Sequence, residues 1–256
     1  MVLTENVKMR FLTYGNKEKP PVMLIHGMAT TAEICYGKIA AQLAEKYFVI
    51  LSVLDGHDPC GDTVFHSLDD SCRKTEIFVK ENFGGHLYAL SGFSLGGSIT
   101  VELLQRGHIT IDKVHLDAAF CVKLGALAPF YTFLFVHGIR YMQSGRVIPE
   151  CITDSVFGKG NNSVAEMLFP NVKSETIQNC CHDVYDFEVR DELRKTSTEI
   201  MFWLGENEPY PRKSVKLLYR YLPAIKVRMF RGMGHGQLLH EHRTYYLKAL
   251  IKFLSE

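Results

Sequence analysis

The chain has 256 residues, enough for one large α/β domain with a substantial core. Its 29 basic and 28 acidic residues leave a net charge of +1, so its overall field would attract neither nucleic acid nor an anionic membrane. The most apolar stretch, residues 124–136, is about half the length of a membrane span and contains Pro129, which argues against a stable transmembrane helix.

The cysteines favour a reducing compartment. There are seven, an odd number, without a C-x-x-C pair, and Cys180 and Cys181 are adjacent, which suits a disulfide framework poorly. The first ten residues lack the apolar segment of a signal peptide. We therefore predict a cytoplasmic protein.

Strand-like and helix-like runs alternate along most of the chain, a pattern typical of a mostly parallel sheet with helices on both faces. Most predicted strands are continuous apolar runs, as expected for strands buried on both faces; they lie at 7–13, 22–25, 48–53, 86–90, 113–116, 199–204 and 225–230. The predicted helices lie at 31–46, 67–83, 95–106, 212–221 and about 238–253.

This alternation stops between residues 119 and 198, where turn signals occur at 158–160 and 170–171. A compact domain does not accommodate so long a loop, so we predict a helical insertion at 119–198 between the core segments 1–118 and 199–256. Some of its bulky residues must pack the insertion itself. The surplus could line an apolar pocket; the candidates are Phe120, Phe130, Tyr131, Phe133, Phe135, Tyr141, Phe157 and Phe169.

The pentapeptide Gly92-Phe93-Ser94-Leu95-Gly96 lies directly between a predicted strand and a predicted helix. A sharp strand-to-helix turn holds a serine in a strained conformation and exposes its hydroxyl above the sheet, where a substrate carbonyl can reach it. The small flanking glycines allow the strand and helix to pass close together. We predict that Ser94 is a nucleophile.

A serine nucleophile needs a base, and the base needs an acid that orients it. His235 lies in the glycine-rich loop between the last predicted strand and the last helix, and is the predicted base. For the acid, Glu208 fits best, because it follows the neighbouring strand at a distance that reaches the imidazole. Glu206 is the first alternative and Asp117, at the end of another neighbouring strand, is the second.

The reaction also needs N–H donors for the oxyanion of a tetrahedral intermediate. The backbone N–H of Leu95, at the start of the helix, is one predicted donor. The turn that leaves the second strand supplies the other, from Met28 or alternatively Ala29. His26 in this turn is interpreted as a structural hydrogen-bonding residue.

Metal and cofactor motifs are absent from the sequence. No H-E-x-x-H, G-x-x-x-x-G-K-[ST] or G-x-G-x-x-G occurs, and the carboxylates of Asp55 and Asp58 lack further ligands at a recognisable spacing. We predict no metal site and no cofactor.

These residues together resemble the α/β-hydrolase superfamily. The order Ser94, Glu208, His235 is that family's order of nucleophile, acid and base. The turns at His26-Gly27 and Asp55-Gly56-His57 occupy the positions at which members of this family have turns of similar composition. The resemblance covers nearly the whole chain and implies an α/β-hydrolase core, with 119–198 as a helical cap.

It also implies a serine hydrolase of the carboxylesterase type that acts on a carboxylic ester or thioester with an apolar acyl or aromatic part. Two alternatives remain: the same triad in a C–C bond hydrolase or acyltransferase, and a non-enzymatic ligand-binding receptor on this fold. The pattern specifies neither the substrate nor the oligomeric state.

Overall fold

The computed structural model describes residues 9–147, 149–150, 154, 166–169 and 171–256. In these residues the strands are β1 (Arg10–Tyr14), β2 (Pro21–Ile25), β3 (Phe48–Val53), β4 (His86–Phe93), β5 (Thr110–Asp117), β6 (Glu199–Gly205) and β7 (Lys226–Phe230). They form a seven-stranded sheet in the order β1-β3-β2-β4-β5-β6-β7 within the described part of the chain. Only β1 is antiparallel to its neighbour, so the prediction of a mostly parallel sheet is confirmed.

The helices whose bounds fall within the described residues are α1 (Lys38–Leu43), α2 (Leu68–Phe83), α3 (Leu95–Arg106), α4 (Ala128–Gln143), α5 (Ser174–Tyr185), α6 (Pro209–Leu218), α7 (Gln237–Glu241) and α8 (Arg243–Ser255). A π-helical turn, Glu33–Gly37, precedes α1, and short 3-10 turns occur at Gly125–Leu127 and Asp191–Lys195.

Helices cover both faces of the sheet, which explains why β2 (PVMLI) and most of β3 (FVILSV) are continuous apolar runs. Met23 and Ile25 of β2 belong to a cluster that includes residues of α2, α3 and α5. Val22 and Leu24, which alternate with them, belong to a second cluster with α1 and α8 on the other face. Both sides of a parallel strand are therefore removed from water, and a polar residue on either side would be buried.

Three predicted helices differ from those observed. The predicted helix at 238–253 is divided, because His242 (φ −117°, ψ 40°) lies between α7 and α8 with a non-helical backbone. The predicted helix at 31–46 begins as the π-helical turn and α1 ends at Leu43. Helix α6 begins at Pro209, three residues earlier than predicted, because a proline in the first turn needs no N–H partner.

Within 119–198, the described residues include α4, α5 and the two 3-10 turns but no strand. Helices α4 and α5 pack against each other, and α5 also contacts α2 and α3. The loop after β3 is fastened to α5, since Asn179 donates to the Phe65 carbonyl oxygen (2.8 Å) and the Leu68 N–H donates to Asp183 (2.6 Å).

Some predictions concern parts of 119–198 that lie outside the described residues, namely Phe157 and the turns at 158–160 and 170. Among the described helices, none combines the length and apolar character that a membrane span requires. The cysteines of the described residues are free thiols, and all but Cys60 are buried.

Candidate active site

Ser94 occupies the turn between β4 and α3 with φ +52° and ψ −112°, a conformation that is costly for a residue with a side chain. Its N–H donates to the backbone oxygen of Asp117 at the end of β5 (2.9 Å), which fixes the turn to the sheet. A Cβ on Gly96 would overlap the Ile25 carbonyl oxygen, and one on Gly92 would overlap the Gly96 carbonyl oxygen. The glycines of the pentapeptide are therefore required by the close approach of β4, α3 and β2.

Two further strained residues lie beside Ser94. In the described part of the chain, Ala29, Ser94 and Ala118 are the non-glycine residues with positive φ (57°, 52° and 50°). They follow the carboxyl ends of β2, β4 and β5, neighbouring strands in the sheet. Backbone strain concentrated at one sheet edge is typical of a functional site.

The structure brings Ser94, His235 and Glu208 together in one hydrogen-bonded chain. Nε2 of His235 lies 3.0 Å from Oγ of Ser94, and Nδ1 lies 2.7 Å from Oε1 of Glu208. The side chain of His235 is 20% exposed and that of Glu208 only 3%, so water has access to the imidazole but scarcely to the carboxylate. The imidazole is therefore held with Nδ1–H toward the acid and a basic Nε2 toward the serine.

Glu208 is itself held from two sides. Its second carboxylate oxygen accepts a hydrogen bond from the Gly205 N–H at the end of β6. The loop that carries Glu208 (residues 206–208, the acid loop) is bound to the loop that carries His235 (residues 231–236, the histidine loop). The Asn207 N–H donates to the Met233 carbonyl oxygen (2.9 Å). The two loops consequently present acid and base as one unit.

The two alternative acids lie elsewhere. Glu206 accepts from the Gly232 N–H (2.9 Å) and so stabilises the histidine loop without contacting His235. Asp117 is buried at the end of β5, and its Oδ2 has no hydrogen-bond partner among the described residues. Burial raises the pKa of Asp117 to about 7, and the neighbouring Glu208 carboxylate adds to this rise. A carboxyl that is largely protonated below pH 7 is poorly suited to stabilise an imidazolium.

The predicted oxyanion donors, Met28 and Leu95, both line the pocket that contains Ser94. Neither backbone N–H donates to another described residue, so both remain available to a ligand. Leu95 is the first residue of the 12-residue helix α3, where the helix dipole favours negative charge. The alternative donor, Ala29, is fully buried, and its carbonyl oxygen accepts from the Phe169 N–H (2.7 Å).

His26 holds the turn that carries Met28. Its Nε2 accepts from the Leu54 N–H (3.2 Å), and its Nδ1 lies 2.8 Å from the Gly27 carbonyl oxygen, to which it donates. Complete burial lowers the pKa of His26 to about 3, so the ring is neutral and keeps this pattern of donor and acceptor. The interpretation of His26 as a structural residue agrees with these contacts.

The pocket beside Ser94 has a volume of about 80 Å³ and a mostly apolar wall. The apolar and aromatic residues that line it are Met28, Leu95, Phe120, Leu124, Tyr131, Phe135, Val184, Tyr185, Pro209, Tyr210 and Pro211. Six of them fall within 119–198. Phe120, Tyr131 and Phe135 are thus among the predicted lining residues that reach the pocket.

Other predicted lining residues face elsewhere: Phe130, Phe133 and Tyr141 are exposed, and Phe169 is partly buried against the core. Six apolar and aromatic residues of the wall were not among the predicted ones: Leu124, Val184, Tyr185, Pro209, Tyr210 and Pro211. Tyr210 stands two residues after Glu208 in Glu208-Pro209-Tyr210-Pro211, a position that could have indicated it; no comparable signal marks Val184 or Tyr185.

No group of histidine, cysteine and carboxylate side chains in the described residues could hold a metal ion. Asp55 instead pairs with Lys74 (2.7 Å), and Asp58 pairs with Arg10 (2.7 Å).

No family model matches the sequence, and no curated protein matches it. Solved structures do resemble it. A putative α/β hydrolase family protein from Desulfitobacterium hafniense gives a TM-score of 0.86 at 20% identity, covering 96% of this chain and 100% of that chain. A carboxylesterase structure from Nitrososphaera gargenis gives 0.80 at 17% identity, covering 99% and 97%.

The 2-hydroxy-6-oxo-6-phenylhexa-2,4-dienoate hydrolase of Rhodococcus sp. strain RHA1 gives a TM-score of 0.73 at 17% identity, covering 97% of this chain and 95% of that chain. The chain therefore has the α/β-hydrolase fold, as its turns predicted. At these identities the likeness establishes the fold, and the activity has to be argued from the site.

Proposed function

We propose that this protein is a serine hydrolase that cleaves a small carboxylic ester or thioester with an apolar acyl or aromatic part. The observation that carries this proposal is the continuous hydrogen-bonded chain from Ser94 through His235 to Glu208. The pocket beside it supports an apolar acyl group, because its wall is mostly aliphatic and aromatic.

The mechanism begins when Oγ of Ser94 attacks the substrate carbonyl carbon while Nε2 of His235 takes the hydroxyl proton. Negative charge then develops on the carbonyl oxygen, which the N–H groups of Met28 and Leu95 stabilise. The C–O or C–S bond to the leaving group breaks, and His235 gives its proton to the departing alkoxide or thiolate.

In the second half, His235 takes a proton from water as that water attacks the acyl-enzyme. The bond to Ser94 breaks, the acid leaves, and the proton returns to the serine oxygen. Glu208 accepts a hydrogen bond from Nδ1 throughout and stabilises the imidazolium that forms in each half.

The size of the pocket favours short acyl groups. Its volume of about 80 Å³ is about half of the ~150 Å³ engineered cavity that admits benzene. We expect kcat/KM for 4-nitrophenyl esters to fall from acetate and butanoate to octanoate and longer chains. Residues 119–198 are proposed to act as the cap, because they supply much of the pocket wall. The proposed location of the protein is cytoplasmic.

A fluorophosphonate probe tests the nucleophile. We expect the wild type to be labelled and Ser94→Ala to remain unlabelled. The chain provides a matched control in Ser91, whose Oγ lies 2.9 Å from Nδ1 of His115 but which is buried away from the pocket. Ser91→Ala should still be labelled. Labelling of Ser94→Ala at the wild-type level would contradict the proposal.

The same probe and the ester panel separate the alternatives. Labelling of Ser94 with no hydrolysis of any ester would favour a C–C bond hydrolase or an acyltransferase, since both use this triad. Neither labelling nor hydrolysis would favour a ligand-binding protein that retains the fold.

A further inference from the structure

The pocket wall carries a pair of hydroxyl groups that the proposed reaction does not use. Tyr131 on α4 and Tyr210 on α6 both line the pocket, and their hydroxyl oxygens lie 2.8 Å apart. Their rings meet edge to face with centroids 5.7 Å apart. The pair therefore joins the 119–198 region to the core at the wall of the pocket.

The pair has one donor more than it uses. Each phenol has a single O–H, and the contact between the two consumes only one of these protons. Among the described residues, no other hydrogen bond to either hydroxyl is present. In this contact Tyr210 donates to Tyr131, so the Tyr131 O–H is the proton left over. Burial and the contact with Tyr131 raise the pKa of Tyr210, so Tyr210 stays protonated at neutral pH and keeps this donation.

The surroundings of the pair set what this donor can bind. The neighbouring wall consists of Phe120, which lies 5.3 Å from the Tyr210 ring between centroids, and of aliphatic residues such as Leu124. No lysine or arginine is among the described residues that line the pocket, whereas the Glu208 carboxylate is. Lys213 lies outside this lining, with its Nζ 4.9 Å from the centroid of the Tyr210 ring. Inside the pocket an anionic substituent would meet the Glu208 carboxylate and no cation among the described lining residues, so a neutral oxygen acceptor fits best.

We propose that Tyr131 and Tyr210 form a specificity subsite that donates a hydrogen bond to a neutral oxygen, such as a ketone, ether or hydroxyl, on the ester substrate. This inference rests on the proposed ester hydrolysis for its substrate class. A plain alkyl chain bound against the part-buried pair would displace water from this donor without offering it an acceptor, and this penalty would separate oxo esters from alkyl esters.

The test measures binding without turnover, in the Ser94→Ala background. Dissociation constants are determined by ligand-observed NMR for methyl 4-oxopentanoate against methyl pentanoate, and for methyl 5-oxohexanoate against methyl hexanoate. Each pair differs by one carbonyl in place of a methylene. We expect Tyr131→Phe and Tyr210→Phe to lower the binding ratio of oxo ester to alkyl ester about threefold to tenfold in at least one pair.

Tyr219→Phe is the matched control, because Tyr219 follows α6 directly and its side chain is exposed. In the Ser94→Ala background, this control should bind oxo and alkyl esters in the same ratio as Ser94→Ala alone. Unchanged ratios for both pairs in both pocket variants, with thermal unfolding showing an intact fold, would overturn the inference. Equal weakening of oxo and alkyl esters would also overturn it, since the pair would then serve only to join α4 to α6.

The kcat/KM values of the corresponding 4-nitrophenyl esters, measured with Ser94 intact, give a second readout. If wild-type protein hydrolyses none of these esters, the proposed reaction fails, while the binding ratios still decide whether the subsite exists.

Discussion

Asp117 provides a prediction of the sign and size of a pH effect on stability. Its carboxyl is 5% exposed at the carboxyl end of β5, in the field of the Glu208 carboxylate. Its folded-state pKa of about 7 lies above the value of 3.8 that is ordinary for an exposed aspartate. Asp117→Asn replaces the group by one that resembles the protonated carboxyl in shape but never ionises.

The sign follows from proton binding. Between pH 3.8 and about 7 the folded protein holds a proton on Asp117 that the unfolded chain has released. The folded state therefore binds more protons there, and stability falls as the pH rises through this window. With 1.36 kcal/mol per pKa unit, the loss from this one group between pH 5 and pH 8 is about 2 to 3 kcal/mol.

Urea denaturation of the wild type and Asp117→Asn at pH 5 and pH 8 measures this difference. We expect the variant to gain about 2 to 3 kcal/mol relative to the wild type over that interval, whatever its stability at pH 5. Asp191→Asn, at an exposed aspartate, should show no such gain. A parallel pH dependence of Asp117→Asn and wild type would refute the reasoning that burial holds the proton on Asp117.

Three further substitutions test the site and its supports. Glu208→Gln should lower kcat by about 10³- to 10⁴-fold, because an amide favours the wrong imidazole tautomer. The kcat of Glu206→Gln should stay within tenfold of the wild-type value. A similar loss of kcat in both variants would contradict the assignment of Glu208 as the acid. Gly96→Ala should prevent folding or lower the free energy of unfolding by more than about 3 kcal/mol in urea denaturation, since the new Cβ meets backbone atoms. In the control Gly37→Ala, the new Cβ meets only the Glu33 Cβ, at 3.7 Å. This control should raise the free energy of unfolding by about 0.5 to 1 kcal/mol. Ser67→Ala removes the acceptor for the Asp70 N–H at the start of α2 and should lower the unfolding free energy by about 1 kcal/mol with kcat unchanged.

Most of the sheet could be predicted from local sequence, because strands that are buried on both faces are mostly apolar. The predicted strand 48–53 matches β3, all six residues of which are buried. Strand β4 extends to Phe93, beyond the predicted end at 90, and Ser91 and Gly92 there have no apolar character to indicate a strand. Pairing with β2 on one side and β5 on the other holds them in the sheet, a tertiary effect that is absent from local sequence.

Helix ends were predicted less well for a similar reason. The buried residues Leu239, Tyr246 and Leu250 keep an approximately helical spacing across the break at His242, and no glycine or proline interrupts it. The apolar pattern therefore indicates one helix where the backbone forms two.

In the candidate site, too, local sequence predicts some features and not others. Ser94 and His235 stand in glycine-rich turns whose composition already indicates exposed, strained backbone, so both could be chosen without a structure. The contact between Tyr131 and Tyr210 joins residues 79 positions apart, and no local pattern in either segment indicates it. The raised pKa of Asp117 depends equally on burial that only the assembled sheet provides.

The position of the proposed triad in the sheet also determines when the proposed activity can appear as the chain folds. Ser94 and His235 are 141 residues apart, and β5 and β6 lie between β4 and β7 in the sheet. Contacts of such long range form slowly, because loop closure must precede them. Activated serine can thus exist only after the last parallel strands have joined, so the rate at which refolding protein becomes reactive toward a fluorophosphonate reports completion of the whole sheet.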